Sequence, residues 1–204
     1  MDELQELDGQ SAPVWAIFSD LMAALVGILA LILVWVIAIQ FELTQDLEAE
    51  KQRRQALERA LADPLASGRI TFQDGRIGIS GNLLFRINSA DLQSGGNQVL
   101  QDLAEPLKVY LSQHDELLMV SGFTDDLSLH EDNLYRDNWG LSAQRALTVT
   151  RTLVEQGLPQ DRLFAAAFGA NAPTVPNRDA ASRAKNRRVE ISTVPRREHE
   201  AAVD

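Results

Sequence analysis

Three groups of residues in this 204-residue chain have the types and spacing to do chemistry. The first is Asp20, the only charged residue between Val14 and Phe41, which directly precedes the unbroken apolar run 21–39. A carboxylate in hydrocarbon costs several kcal/mol unless it is protonated, paired or hydrated. That suits a group which takes up and releases protons; a helix-start residue at headgroup level, after Ser19, is the other reading of the same position. The second group is Thr124-Asp125-Asp126, which follows the apolar run 117–123. The third is Asn138, Ser142 and Arg145, whose spacing of four and three puts them on one stripe of a helix. Ligands of open α/β sheets bind just past the carboxyl ends of strands. An acid at a strand end and an arginine on the next helix can there hold a small zwitterion. Asp125 would take its ammonium, and Arg145 its carboxylate through two parallel hydrogen bonds. A structural salt bridge on a solvated helix face accounts for the same residues.

Composition removes several other chemistries. The chain has no Cys, which excludes disulfides, thiolate metal sites, cysteine nucleophiles and a lipid-modified N-terminal cysteine. His114, His130 and His199 lack metal-ligand spacing, and neither a metal nor a cofactor is expected. Asp125, Asp126, His130, Glu131 and Asp132 make an acid-rich loop that matches no ligand motif. Glycoside hydrolysis needs two carboxylates facing each other across a sugar, an arrangement that spacing alone does not give. No enzymatic activity is expected. The net charge of −10 is lopsided, with nine acids and no Lys or Arg in residues 1–50. The remainder holds 20 acids against 19 bases, so no diffuse basic surface for nucleic acid is present.

The elements that must position these groups fall into five segments: a tail (1–13), a membrane-spanning helix (14–41), a helical linker (42–68), a soluble domain (69–194) and a polar disordered tail (195–204). The apolar run of 19 residues reaches ~29 Å as a helix, close to the ~30 Å of a hydrocarbon core, with Trp15 and Phe41 near the two interfaces. A signal peptide fits poorly, because a basic leading region is missing and the run is too long. In the linker Leu43, Leu47, Leu57 and Leu61 share one seam, with Glu50 and Arg54 between them. A parallel dimer, a helix lying on a membrane or partner, and a solvated spacer are all compatible with it. Pro64 and Ser67-Gly68 end that helix.

In the soluble domain, 69–80 predicts a hairpin turning at Asp74-Gly75, and 83–87 is a short apolar run. Residues 94–111 predict a helix that Pro106 should kink or break, and 117–123 a buried strand. Residues 138–156 predict a helix with Ala143, Ala146, Leu147, Thr150 and Val154 inward, closed by Gly157. Strands at 162–168 and 188–194 complete an α/β fold, an α+β sandwich with a mixed sheet and helices on one face.

The segments GFTDD (122–126), NWGLSAQRA (138–146), FGANAPTVPN (168–177) and NRRVEI (186–191) occur in order. Together they resemble the OmpA-like peptidoglycan-binding domain over roughly residues 70–194. The resemblance implies that Asp125 and Arg145 bind the diaminopimelate of the peptidoglycan stem peptide. It adds Thr124, Asn138 and Leu141 to the binding set and gives Arg188, the second arginine of N-R-R, a supporting role. Ser182 departs from the family, where glycine is common, and is expected to alter a turn.

W-x-x-F-S-D-L-M (15–22) is similar to the start of the MotB family of ion-driven stator subunits, whose plan Zorya-type and other non-flagellar relatives share. This resemblance implies that Asp20 carries protons and that the chain works as a homodimer with a MotA-, TolQ- or ExbB-like polytopic membrane protein. It also implies an inner-membrane protein with its N-terminus in the cytoplasm and its domain in the periplasm. The 42–62 helix would then be a channel plug or a dimer coiled coil. The charge rule points the other way, because Lys51, Arg53, Arg54 and Arg59 follow the span and no base precedes it. A passive membrane-anchored peptidoglycan tether without ion transport is the alternative function.

Overall fold

The computed structural model describes residues 14–86, 88–129 and 134–196. The expected N-terminal tail, His130, Glu131 and Asp132 of the acid-rich loop, and residues 197–204 lie outside them. The chain divides into two compact units, Met1–Gln52 and Arg53–Asp204.

The apolar sequence and the charged segment after it form one helix, α1 (Val14–Ala60), of which residues 14–52 belong to the first unit. Within it Ile17–Ala60 contains a stretch of mean hydropathy 3.0, long and apolar enough to cross a membrane. Every side chain from 21 to 39 is exposed in the isolated chain. A helix apolar on all sides needs lipid or a partner around it.

The second unit is built on alternation. After the short helix α2 (Ala62–Ala66), strands β1 (Ile70–Gln73) and β2 (Arg76–Ser80) form the expected hairpin. Its turn residues Asp74 and Gly75 have φ of 51° and 76°, the left-handed geometry that a tight hairpin requires. Three helices follow around strand β3 (Glu116–Phe123): α3 (Gly81–Leu84), α4 (Ser94–Gln113) and α5 (Asn138–Glu155). Strand β4 (Leu163–Gly169), helix α6 (Ala180–Asn186) and strand β5 (Arg188–Pro195) close the fold. Among the described residues five strands make one sheet, in the order β1-β2-β5-β3-β4. Only β3 and β4 run parallel, so the sheet is mixed as expected. Ile77, Ile79, Leu118, Val120, Val189 and Ile191 point to one face, where they pack with Leu103, Leu107, Val149 and Leu153 of the helices.

Four expectations change. The compact unit starts at Arg53, inside the expected linker, and Leu57 and Leu61 are fully buried members of its core. Leu43 and Leu47 remain exposed, so the seam of four leucines serves two different ends. Arg53 also lies 3.7 Å from the buried Glu116, which accepts a hydrogen bond from Tyr110. Second, α4 runs through Pro106. A helix-interior proline costs ~3 kcal/mol, and burial of Val99, Leu103, Leu107 and Leu111 at ~1.5–3 kcal/mol each exceeds that. Third, the run 83–87 gives the end of α3 and a bridge from Phe85 to Leu92, with Ile87 outside the described residues.

Fourth, the buried face of α5 is Leu141, Ser142, Arg145, Ala146, Val149, Thr152 and Leu153, while Leu147 is 36% exposed. The polar stripe itself turns inward, because Ser142 and Arg145 find partners there. Ser142 Oγ accepts a hydrogen bond from the Gly169 N–H and donates to the Trp139 carbonyl. Helix and strand approach so closely that a Cβ on Gly122 would sit 2.1 Å from the Ser142 carbonyl oxygen.

Leu61→Ala is expected to lower the unfolding free energy of the second unit by about 2–5 kcal/mol. Leu47→Ala should change it by less than about 0.5 kcal/mol. Hydrogen exchange of the β3 amides in the full chain in detergent reads both.

Candidate functional site

A cleft of about 950 Å³ opens past the carboxyl end of β3 and brings Thr124, Asp125, Asn138, Leu141 and Arg145 together. The strand delivers Asp125 into it. The Asp125 carboxylate is buried, with Oδ2 2.6 Å from Arg187 Nη1 and Oδ1 accepting the Leu127 N–H. Asp137 caps α5 by accepting from the Gly140 N–H, which sets Asn138 in the first turn of the helix. From there the Asn138 amide donates to the carbonyls of Asp125 and Leu127 and holds the turn that presents the acid. Leu141, one turn on, supplies a buried apolar wall.

Arg145 lies deeper on the same helix and is 4% exposed. Its Nε donates to the Ser89 carbonyl at 2.9 Å, and its guanidinium carbon sits 5.1 Å from the centre of the Phe85 ring. Burial, then repulsion from Arg187, lowers its pKa to about 10, against the opposing pull of Asp125 and Tyr135. The group is still charged at neutral pH, but its charge is under-compensated. A ligand carboxylate is the natural complement. Thr124 Oγ is buried on the lining of the cleft and has no hydrogen-bond partner among the described residues. Buried hydroxyls are nearly always paired, so this one is also poised for a ligand or water.

Arg188 is not in this cleft. It lies 3.8 Å above the Phe123 ring, pairs with Glu190 at 2.6 Å and lines a separate cleft of about 360 Å³. The arginine that meets Asp125 is Arg187. Strand periodicity gives the reason. Val189 and Ile191 face the helices, so position 187 shares their side and position 188 takes the other. The parity of N-R-R-V-E-I carried this signal, and it was missed.

Asn186 was also missed. Its buried side chain accepts from the Thr174 and Val175 N–H groups and donates to the Val175 carbonyl and to Asn177 Oδ1. One amide thereby fastens the 174–177 loop beside Arg187. Ser182, which departs from the family's common glycine, completes a capping box with Asp179 at the start of α6. Hydrogen bonds from the Ser182 N–H and hydroxyl hold the Asp179 carboxyl below its ordinary pKa. Asp126 of the acid-rich loop is exposed. Asp20 lies on α1 of the other unit, near its start, with its side chain exposed in the isolated chain.

The profile of the OmpA family matches residues 84–187, just over half of the chain, and contains every cleft residue named above. Motility protein B of Bacillus subtilis is 34% identical over 80 residues, which is 39% of this chain and 30% of that protein. The chain spans less than half the length of the curated relatives it matches first. Among solved structures, a MotB-like protein of Desulfovibrio vulgaris superposes with a TM-score of 0.63 at 28% identity, over 75% of this chain and 95% of that one. The cell wall anchor of the T6SS from Pseudomonas aeruginosa gives 0.59 at 30% identity, over 69% and 97%. One apolar helix followed by this domain is a MotB-type plan. By fold and by sequence, the chain belongs to the OmpA family.

Proposed function

We propose that this chain is a single-pass inner-membrane subunit of a proton-motive-force-coupled, stator-type motor. In this reading its second unit grips peptidoglycan in the periplasm, while a dimer of its membrane helices works with a MotA- or TolQ-like polytopic partner. The observation that carries the wall-binding half is the cleft, where a buried acid and two guanidiniums are set for the opposite charges of one small zwitterion. The distal end of diaminopimelate has that form, with an ammonium and a carboxylate on one carbon. Its ammonium would share Asp125 with Arg187, and its carboxylate would take the free face of Arg145. Binding and positioning, with no bond made or broken, are all that this requires.

The motor half rests on Asp20, the lone acid between Val14 and Phe41, in a stretch otherwise fit for lipid. One charge moved through ~100 mV releases ~2.3 kcal/mol. Protonation would let the helix pass an apolar surface, and deprotonation would hold it at a wet one. The wall grip would supply the fixed point against which such a step does work. The reversed charge bias is a weaker objection than it first looks. Arg53, Arg54 and Arg59 fall within the folded second unit rather than in a short flank, and whole domains cross largely regardless of charge.

Asp125→Asn and Arg145→Lys are each expected to reduce sedimentation of the full chain with purified peptidoglycan at least tenfold, with unchanged circular dichroism. Arg188→Gln should sediment like the wild type. Full retention in both cleft variants contradicts the site. Asp20→Asn is expected to copurify normally with the multi-span partner while proton flux through the complex disappears. Wild-type flux in that variant removes the motor role and leaves the passive tether.

A further inference from the structure

The charges lining the cleft do not balance around diaminopimelate alone. Arg86, Arg145 and Arg187 stand against Asp125, the single acid among the described residues of the lining. Asp125 and Arg187 already neutralise each other at 2.6 Å. One ligand carboxylate answers Arg145, and the ligand ammonium adds a further positive charge. Arg86 is left over among the described residues of the lining. Its side chain is exposed on the cleft and makes no hydrogen bond or ion pair among the described residues. Its backbone, by contrast, is fixed: the Arg86 N–H donates to the Asp91 carbonyl beside the Phe85–Leu92 bridge. The adjacent Phe85 ring carries the Arg145 guanidinium, so the two arginines are mounted on one support. The Thr124 hydroxyl, buried on the same lining and without a hydrogen-bond partner among the described residues, is a second unsatisfied polar group there.

We propose that Arg86 forms a second anion subsite, which reads the free α-carboxylate of the D-glutamyl residue preceding diaminopimelate in the stem peptide. This rests on the peptidoglycan reading above and adds a specificity to it. The cleft prefers a stem peptide whose D-glutamyl carboxyl is ionised over one in which it is a carboxamide. Arginine suits the task, because its planar fork matches a carboxylate and keeps its charge throughout the physiological range.

Two N-acetylated tripeptides, alanyl-γ-D-glutamyl-diaminopimelate and its D-isoglutamine counterpart, test this by calorimetry on the full chain in detergent at low salt. They differ by a single charge. Wild type is expected to prefer the carboxylate form about three- to tenfold, the range of a charge-assisted contact at an exposed rim. In Arg86→Gln the preference should fall below about twofold, with unchanged circular dichroism. A wild-type preference under about twofold, or one of equal size in Arg86→Gln, overturns the subsite while leaving the diaminopimelate site standing. Failure of the wild type to bind either peptide, or purified peptidoglycan, overturns the wall-binding reading itself and the subsite with it.

Discussion

The constraint on which this domain turns is the sharing of one buried carboxylate, Asp125, between two arginine environments. Arg187 pairs with it directly, and Arg145 feels it from the neighbouring helix. Taking a guanidinium out of water is costly unless its charge is met. The lowered pKa of Arg145 records how incompletely that happens here, since burial and Arg187 together outweigh the attraction of Asp125. The fold supports this arrangement from several sides. Gly122 lets α5 lie against β3, Ser142 ties the helix to the end of β4, Asn138 fixes the turn that carries the acid, and Asn186 fixes the loop beside Arg187. This support is what a recognition site would need under the proposed function.

Much of this was readable in the sequence, and the failures have physical causes. The hairpin, the buried strand β3 and the placement of Asp125 at its end follow from alternation and turn chemistry, which are local. The helical stripe Asn138-Ser142-Arg145 was seen, but its polarity placed it outward. Polar side chains are buried when partners exist inside, and those partners (the Ser89 carbonyl and the Gly169 N–H) come from distant segments that periodicity does not reveal. Arg188 was preferred to Arg187 by motif position, whereas strand parity decides which side of the sheet each one reaches. Leu57 and Leu61 looked like half of a coiled-coil seam because core leucines and seam leucines share the same spacing. Only their burial in the second unit distinguishes them.

The two units answer to different solvents. The run 21–39 has no polar face with which to meet water, and Asp20 is tolerable there only in the presence of a proton, a partner or a hydrated path. The second unit has an ordinary alternating sheet and a charged cleft at the end of β3. The proposed motor would use both properties, a titratable group in the membrane and a grip on something immobile.

The most direct test of the shared-carboxylate cleft is a calorimetric comparison of three small molecules on the full chain in detergent: meso-diaminopimelate, pimelate and 1,5-diaminopentane. They have similar carbon chains and differ in which charges they offer. Saturable single-site binding of diaminopimelate, with pimelate much weaker and the diamine undetectable, is the expected result. Equal binding of all three, or of none, contradicts a cleft that needs both signs of charge on one ligand.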